Sequence, residues 1–578
     1  MRRRLWISIG ALLLICGAVY AVDTIVPSFK AQPELTTLLP EGALLSIEAR
    51  DFSSLLHDWN SSDEKRAWLT SDNHADFSDS HLFTRLSQAQ DEFSTATGLP
   101  TDASLLERVA GKQSCLGLYD IGNLEFVYVT RLDQSQIEAT PLWQMRGKFE
   151  QRTEAGTPFY VHTDVQSMRT AAFAARDGWL ILGTREDLVA GVLDRLSGAT
   201  SHSLASEGWY IEAIKQAAGE RGDLRMALNL DKIVATPYFR SYWVQQNITE
   251  MKQYVSAVSD LYRTSSTYRE ERVLLRRAGV PTVSQGDVQS IAALAPDDTA
   301  FYEAQASPTS ENVVEALREN LLEVKPTHGQ DAFSTAPTEA AAQDAGSKAQ
   351  LDVRIDQAPV AATQVDAYQP LRALILANAP DTLLEVHTAH ASEQGVFVSF
   401  QSAIALSAPR DWNESVVRDA LTSALPSSLT TARLGANWEK RSSASGEYMA
   451  LDGTVPLYLA IQGKQLLLAN DSTLLEQILA RRQKSASIAG KDGVTYTALF
   501  RHTPQQQSNF RRLMSQLDRA GHNGGADQQA STTGEKPSFF SGNVASFSRV
   551  FAKVESEQIV EKDQGAKVTQ TVTYQWTH

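Results

Sequence analysis

Cysteine is nearly absent: Cys16 and Cys115 are the only two in 578 residues. That excludes a disulfide scaffold and a cysteine-based structural zinc site. Basic charge is also short, with Lys+Arg at 53 against Asp+Glu at 68 and a net charge of -15. Such a chain has no broad cationic surface for a phosphate backbone, so nucleic acid is excluded as a partner. Histidines are scattered. The one close pair, His387 and His390, lies where the sequence reads as strand running into turn, so the two rings face opposite sides and no third ligand accompanies them. Gly-x-Ser-x-Gly, Walker A, His-Glu-x-x-His and a Gly-x-Gly-x-x-Gly following a strand are all missing. Ser62 and Lys65, followed by Ser71-Asp72-Asn73, imitate a serine-lysine hydrolase set, but they crowd into one polar stretch with no Lys-Thr-Gly elsewhere. No catalytic, metal or cofactor-binding residue is assigned, and no cofactor is expected.

Long hydrophobic runs are rare too, and the one that exists opens the chain. Arg2, Arg3 and Arg4 precede Leu5 to Val22, a stretch without charge that Asp23 ends. As a helix it measures roughly 27 Å at about 1.5 Å per residue, enough to cross a bilayer. The arginines keep residues 1–4 in the cytoplasm, and the bulk of the chain, from about residue 30, is expected outside it, in the periplasm. An uncleaved single-span anchor over 5–22 is the leading reading. A cleavable signal peptide ending at Val19-Tyr20-Ala21 stays open. Ile15 before Cys16 argues against lipid attachment. Cys115 reads as a small buried hydrophobe.

Hydrophobic residues make up 42% and charged residues 21%, ordinary globular usage, and the length suits about two to four domains. After a polar stalk, Leu39-Pro40-Glu41-Gly42 opens a strand to Ala49. Helical patterns follow from Phe52 to Trp59, Leu82 to Thr95 and Leu105 to Val109. Leu116–Tyr119 and Leu124–Leu132 read as a hairpin. In the second of these runs Phe126, Tyr128 and Thr130 share one face, and Val127 and Val129 the other. Short strands then lead to Trp179–Gly183 and a helix from Arg185 to Leu196.

That ending recurs. Ala172 to Gly183, leading into Leu188 and Val192-Leu193, is echoed at one constant separation by Tyr458 to Ala469, leading into Leu474 and Ile478-Leu479. Phe149-Glu150-Gln151-Arg152 is echoed, three residues out of step, by Trp438-Glu439-Lys440-Arg441. Leu39-Pro40 with Glu48-Ala49 is echoed by Ala295-Pro296 with Glu303-Ala304. The expected architecture is α+β: two related sheet-and-helix units at 38–235 and 290–560. A helical bridge is expected over 238–277, read from apolar positions three and four apart and from the lack of Gly and Pro. Residues 325–363 and 519–538, poor in bulky apolar side chains, are expected to be a disordered insertion and a loop. C-terminal strands are expected within 544–578, with Val568, Gln570, Val572, Tyr574 and Trp576 on one face.

The opening Leu38 to Arg50 and the stretch Arg176 to Leu188 resemble an uncharacterised family of bacterial membrane-anchored envelope proteins built from a domain of unknown function. The resemblance implies an envelope location and carries over no functional residue. Two function classes follow. The first is a non-enzymatic, membrane-anchored binding or scaffold protein whose partner is another envelope protein or a polymer. The second is an extracytoplasmic hydrolase of an envelope polymer, with carboxylates gathered between the units. Convergence of Glu48, Glu150, Glu303 and Glu439 on one cleft would favour the hydrolase; pairing of Glu150 and Glu439 with Arg152 and Arg441 would favour binding. The cluster Arg263, Arg269, Arg272, Arg276 and Arg277, interleaved with Glu270 and Glu271, reads as a salt-paired surface.

Overall fold

The computed structural model describes residues 34–322, 366–501 and 554–576, apart from stretches at 63–80 (in part), 200–201, 218, 238–250, 265, 284–285, 392–397, 426–436, 454–455 and 486–492. The expected span 5–22, the insertion 325–363, the loop 519–538 and the first part of the expected helical bridge, 238–250, lie outside the described residues. Among the described residues no helix is long and apolar enough to cross a membrane.

The chain is α+β, and its strands join one antiparallel sheet. Up to residue 276 the order is α1 (Leu35–Leu38), β1 (Leu45–Ala49), α2 (Phe52–Ser61), α3 (His81–Thr97), α4 (Ala103–Val109), β2 (Ser114–Asp120), β3 (Glu125–Arg131), α5 (Gln134–Ala139), α6 (Pro141–Gln144), β4 (Glu150–Glu154), β5 (Thr157–Thr163), β6 (Thr170–Arg176), β7 (Trp179–Gly183), α7 (Glu186–Leu196), α8 (Gly208–Gln216), β8 (Leu224–Leu228), α9 (Leu230–Ile233), β9 (Tyr254–Arg263) and β10 (Thr267–Arg276). Beyond it come α10 (Val288–Ala292), β11 (Phe301–Ala306), α11 (Ser310–Leu317), α12 (Gln369–Asn378), β12 (Thr382–Ala391), β13 (Val398–Ser407), α13 (Glu414–Ala424), β14 (Glu439–Ser443), β15 (Gly446–Leu451), β16 (Leu457–Gln462), β17 (Gln465–Ala469), α14 (Ser472–Ser485), β18 (Val494–Arg501), β19 (Val554–Asp563) and β20 (Lys567–Trp576).

Local chemistry explains these elements. Asp51 caps α2 by accepting from Ser54 N, Asp102 caps α4, Thr309 caps α11 and Asn413 caps α13. The β6–β7 turn places Asp177 and Gly178 at φ 51 and 79, the left-handed pair that a tight right-twisted hairpin needs. Thr184, just before α7, accepts from Phe126 N at 2.8 Å and ties the helix entry to β3, whereas Asp471 caps the counterpart helix α14 through Leu474 N.

Read from edge to edge, the sheet runs β4-β5-β6-β7-β3-β2-β1-β8-β9-β10, then β20-β19-β18-β11-β12-β13-β17-β16-β15-β14. The second ten strands repeat the connectivity of the first ten in reverse spatial order, and β10 pairs antiparallel with β20 at the seam. Register can be followed through both halves. Laying Gly183 on Ala469 places Val127 on Ala403, Gly117 on Val386 and Ser46 on Tyr302. That last shift also carries Pro40 onto Pro296. In the other direction it places Ala172 on Tyr458, Val161 on Ala450 and Glu150 on Glu439. The two edge strands, β4 and β14, are charged and mostly exposed, which blunts both ends of the sheet against further pairing.

Residues 254–276, inside the expected helical bridge, are the β9–β10 hairpin, so the helix reading is corrected there. Apolar spacings of three and four also fit alternation once Ser and Thr share the faces: Val258 and Asp260 lie on one face, Ala257 and Ser259 on the other. The turn needs no glycine, because Thr264 N bonds Thr267 O and Thr267 N bonds Thr264 Oγ1. Both faces of the sheet are covered in each half. In the first half α2 to α6 cover one face and α1, α7 and α8 the other. In the second, α11 to α13 cover the face corresponding to α2 to α6, and α10 with α14 the opposite one.

Candidate functional site

The four carboxylates proposed for one cleft lie apart. Glu150 and Glu439 sit on the two opposite edges of the sheet. Glu150 pairs with Arg152 at 3.2 Å, and Arg441 meets Glu439 at 3.8 Å and also contacts Asp452. Exposed pairs of this kind contribute little. Glu48 and Glu303, matched in the sequence, prove one residue out of register: the pairing places Ile47, not Glu48, on Glu303. The two acids therefore face opposite sides of the sheet.

Glu48 is 2% exposed and lies beneath α8. Its Oε2 meets Arg221 Nη2 at 2.6 Å, and Tyr210 donates to its Oε1 at 3.3 Å. Its strand partner Arg225 is bidentate to Asp260, at 2.8 Å for both bonds. Burial, only partly offset by Arg221, pushes the Glu48 carboxyl above its usual range. On β2 opposite Glu48 lies Cys115, fully buried; desolvation pushes its thiol well up, which makes it a poor nucleophile. This constellation is enclosed and internally paired, and holds the sheet to α8.

On the opposite face Glu303 stands directly across from Glu385 of β12. Tyr496 donates to Glu303 Oε2 at 3.1 Å, and Asn320 donates to Glu385 Oε2 at 2.8 Å. His387 Nε2 is 3.9 Å from Glu385 Oε2, and its ring stacks on Phe301 with centroids 5.7 Å apart. Burial, then the Glu303 charge, pushes the Glu385 carboxyl up to about 7. Sequence reading missed Glu385, because a cross-strand partner is visible only once register is known. Among the described residues no group of three metal-ligating side chains comes together. The five arginines of the basic cluster are spoken for: Arg263 with Asp58, Arg269 with Glu271, Arg272 with Glu270, Arg276 with Asp563 and Arg277 with Asp231.

The position equivalent to the Glu303–Glu385 pair in the first half is apolar. Ile47 lies on Glu303, Leu116 on Glu385 and Leu224 on Tyr496, and these three line a cavity of about 630 Å³ between β1, β2 and β8 and the helices α2, α3 and α4. Phe52, Phe93, Leu105 and Tyr128 contribute to its walls, and it opens beside Gln90 and residues 101–106, where Leu106 is 41% exposed. The volume falls within the usual range for small-molecule sites, about 300–1,000 Å³. The cavity's polar lining groups are already engaged. Gln90 donates to Thr101 O, Asp102 caps Ser104 and Leu105, and Ser114 bonds Thr130 and Tyr128. Water therefore finds few partners inside. No local pattern announced the cavity, because it forms only where α2, α3 and α4 come together over β1, β2 and β8.

Compared with protein-family models, with characterised proteins and with solved structures, the chain matches none of them.

Proposed function

We infer that this chain is a non-enzymatic, membrane-anchored binding protein of the bacterial envelope, with the bulk of the chain outside the cytoplasm, built by duplication of one α+β module. The observation that carries the binding reading is that the acids proposed for a cleft lie on opposite edges and opposite faces of the sheet, while the cavity beside β1 is apolar. Duplication is supported by the repeated connectivity. It is also supported by a register that, started from Gly183 and Ala469, reaches the separately matched Pro40 with Pro296 and Glu150 with Glu439. Membrane anchoring rests on the charge-free run Leu5 to Val22 behind three arginines.

The test is protease treatment of intact spheroplasts carrying the full chain with a tag at each end. The C-terminal tag is expected to be digested from outside, the N-terminal tag to survive, and the chain to stay with membranes in alkaline carbonate. Digestion of the C-terminal tag only after lysis would overturn the topology. A hydrolase acting on an envelope polymer is the second reading, favoured by the Glu303–Glu385 pair, in which one carboxyl with a raised pKa stands beside another. Cleavage of peptidoglycan by the purified chain, lost in Glu385→Gln, would establish that reading instead.

A further inference from the structure

We propose that the first-half cavity takes the acyl chain of a membrane lipid. The proposal deepens the binding reading and rests on it. Four observations converge. The wall is built from Ile47, Phe52, Phe93, Leu105, Leu116 and Tyr128, and the polar groups among the lining residues are engaged with one another or with helix ends. Such a lining suits a guest with no hydrogen-bonding groups of its own.

The mouth is mixed, with Leu106 standing beside Gln90 and Asp102. Leu106 belongs to the lining and is 41% exposed, so a large apolar side chain reaches the opening. An apolar side chain at the opening gives an acyl chain its first contact, beside polar groups that are already hydrogen-bonded to the protein.

The supply is close. Residues 23–33 separate the expected span from the first described residue, and fully extended they reach at most ~40 Å. The tether enters at α1, on the sheet face opposite the cavity, so it holds the first module near the lipid surface without fixing which face turns toward it. Finally, the apolar character belongs to this half alone. The equivalent sheet position in the second half carries Glu303, Glu385 and Tyr496, so the module does not demand an apolar surface there.

The experiment uses the full chain in vesicles of phosphatidylethanolamine and phosphatidylglycerol, doped with a phosphatidylglycerol bearing a diazirine near the end of one acyl chain. After irradiation, labelled peptides are mapped by mass spectrometry. Label is expected within 81–109 as well as in the span 5–22. Excess unlabelled lipid should reduce the 81–109 signal several-fold. Ile47→Trp, which fills the cavity, should reduce it at least fivefold while leaving the 5–22 signal unchanged. Leu106→Gln changes a half-exposed rim residue without touching the packed core, and should reduce the signal twofold or more even if Ile47→Trp misfolds. Label confined to 5–22 would overturn the acyl-chain site and leave the anchor standing. Label absent from the whole chain, with the protein washed off the vesicles, would overturn the anchored reading as well. Equal labelling of 81–109 in parent and Leu106→Gln, undiminished by unlabelled lipid, would mean surface contact and would also overturn the site.

Discussion

Glu385 is the residue whose chemistry departs most usefully from the ordinary. Its carboxyl is pushed up to about 7, first by burial and then by Glu303 across the strand, with Glu319 adding a smaller push and Asn320 pulling the other way. In the unfolded chain the same group titrates near 4.5. Between those two values the folded chain holds a proton that the unfolded chain has released, so the stability this group contributes is present below about pH 4.5 and lost as pH rises through about 7. Glu385→Gln keeps an oxygen for Asn320 and removes the titration. It is expected to match the parent at pH 4 and to exceed it at pH 8 by about 1–3 kcal/mol, read from urea unfolding at both values. Identical pH slopes in the two chains would contradict the burial argument. The site was only partly legible beforehand. Glu303 could be singled out from its strand, but its partner sits on a strand that no local pattern aligns with it, and the Glu48 match failed because a one-residue slip moves a side chain to the other face.

Elements were more legible than their neighbours. The β6–β7 hairpin and the helix after it followed from short apolar runs and the Asp177-Gly178 turn signal, both local. The β9–β10 hairpin was misread as helix, because a run with Ser and Thr on both faces and no glycine carries both periods at once. That hairpin bears the seam between the halves, and its energetics can be tested at one contact. Arg276 at the end of β10 meets Asp563 at the end of β19 at 2.5 Å, with side chains 7% and 1% exposed. Asp563 also accepts from Val283 N at 2.8 Å and Gly565 N at 2.9 Å. Asp563→Ala strands a buried guanidinium and two backbone donors. A loss of about 3–5 kcal/mol is expected, measured by chemical denaturation. Adding Arg276→Met should recover part of that loss, since the unpaired charge is then gone. A double variant no better than the single would show that the backbone donors, not the charge, dominate.

At the scale of the whole molecule the decisive fact is where the chain's last strands go. The last strand could be read from alternation, and Val568 and Val572 are buried at 1% and 2%. The destination of the C-terminal strands could not be read, since nothing in residues 554–576 says that they pair with strands of both halves. β20 joins β10 of the first half, and β19 joins β18 of the second, so this short terminal hairpin closes the sheet at its centre. A chain ending at residue 553 would keep the elements of both modules except these two strands. It would also uncover two long inner edges, that of β10 and that of β18, and β18 has Arg501 as its only charge, unlike the charged, exposed outer edges β4 and β14. Unprotected edges of that kind recruit other strands. The truncated chain is therefore expected to elute as oligomers or aggregates in size-exclusion chromatography, and its two halves to unfold in separate denaturant transitions. An intact chain should instead show a shared transition, because the β10–β20 ladder couples the halves. If the truncated chain stays monodisperse and unfolds in one step at the parent's midpoint, the terminal hairpin is peripheral and the sheet does not run unbroken through its seam.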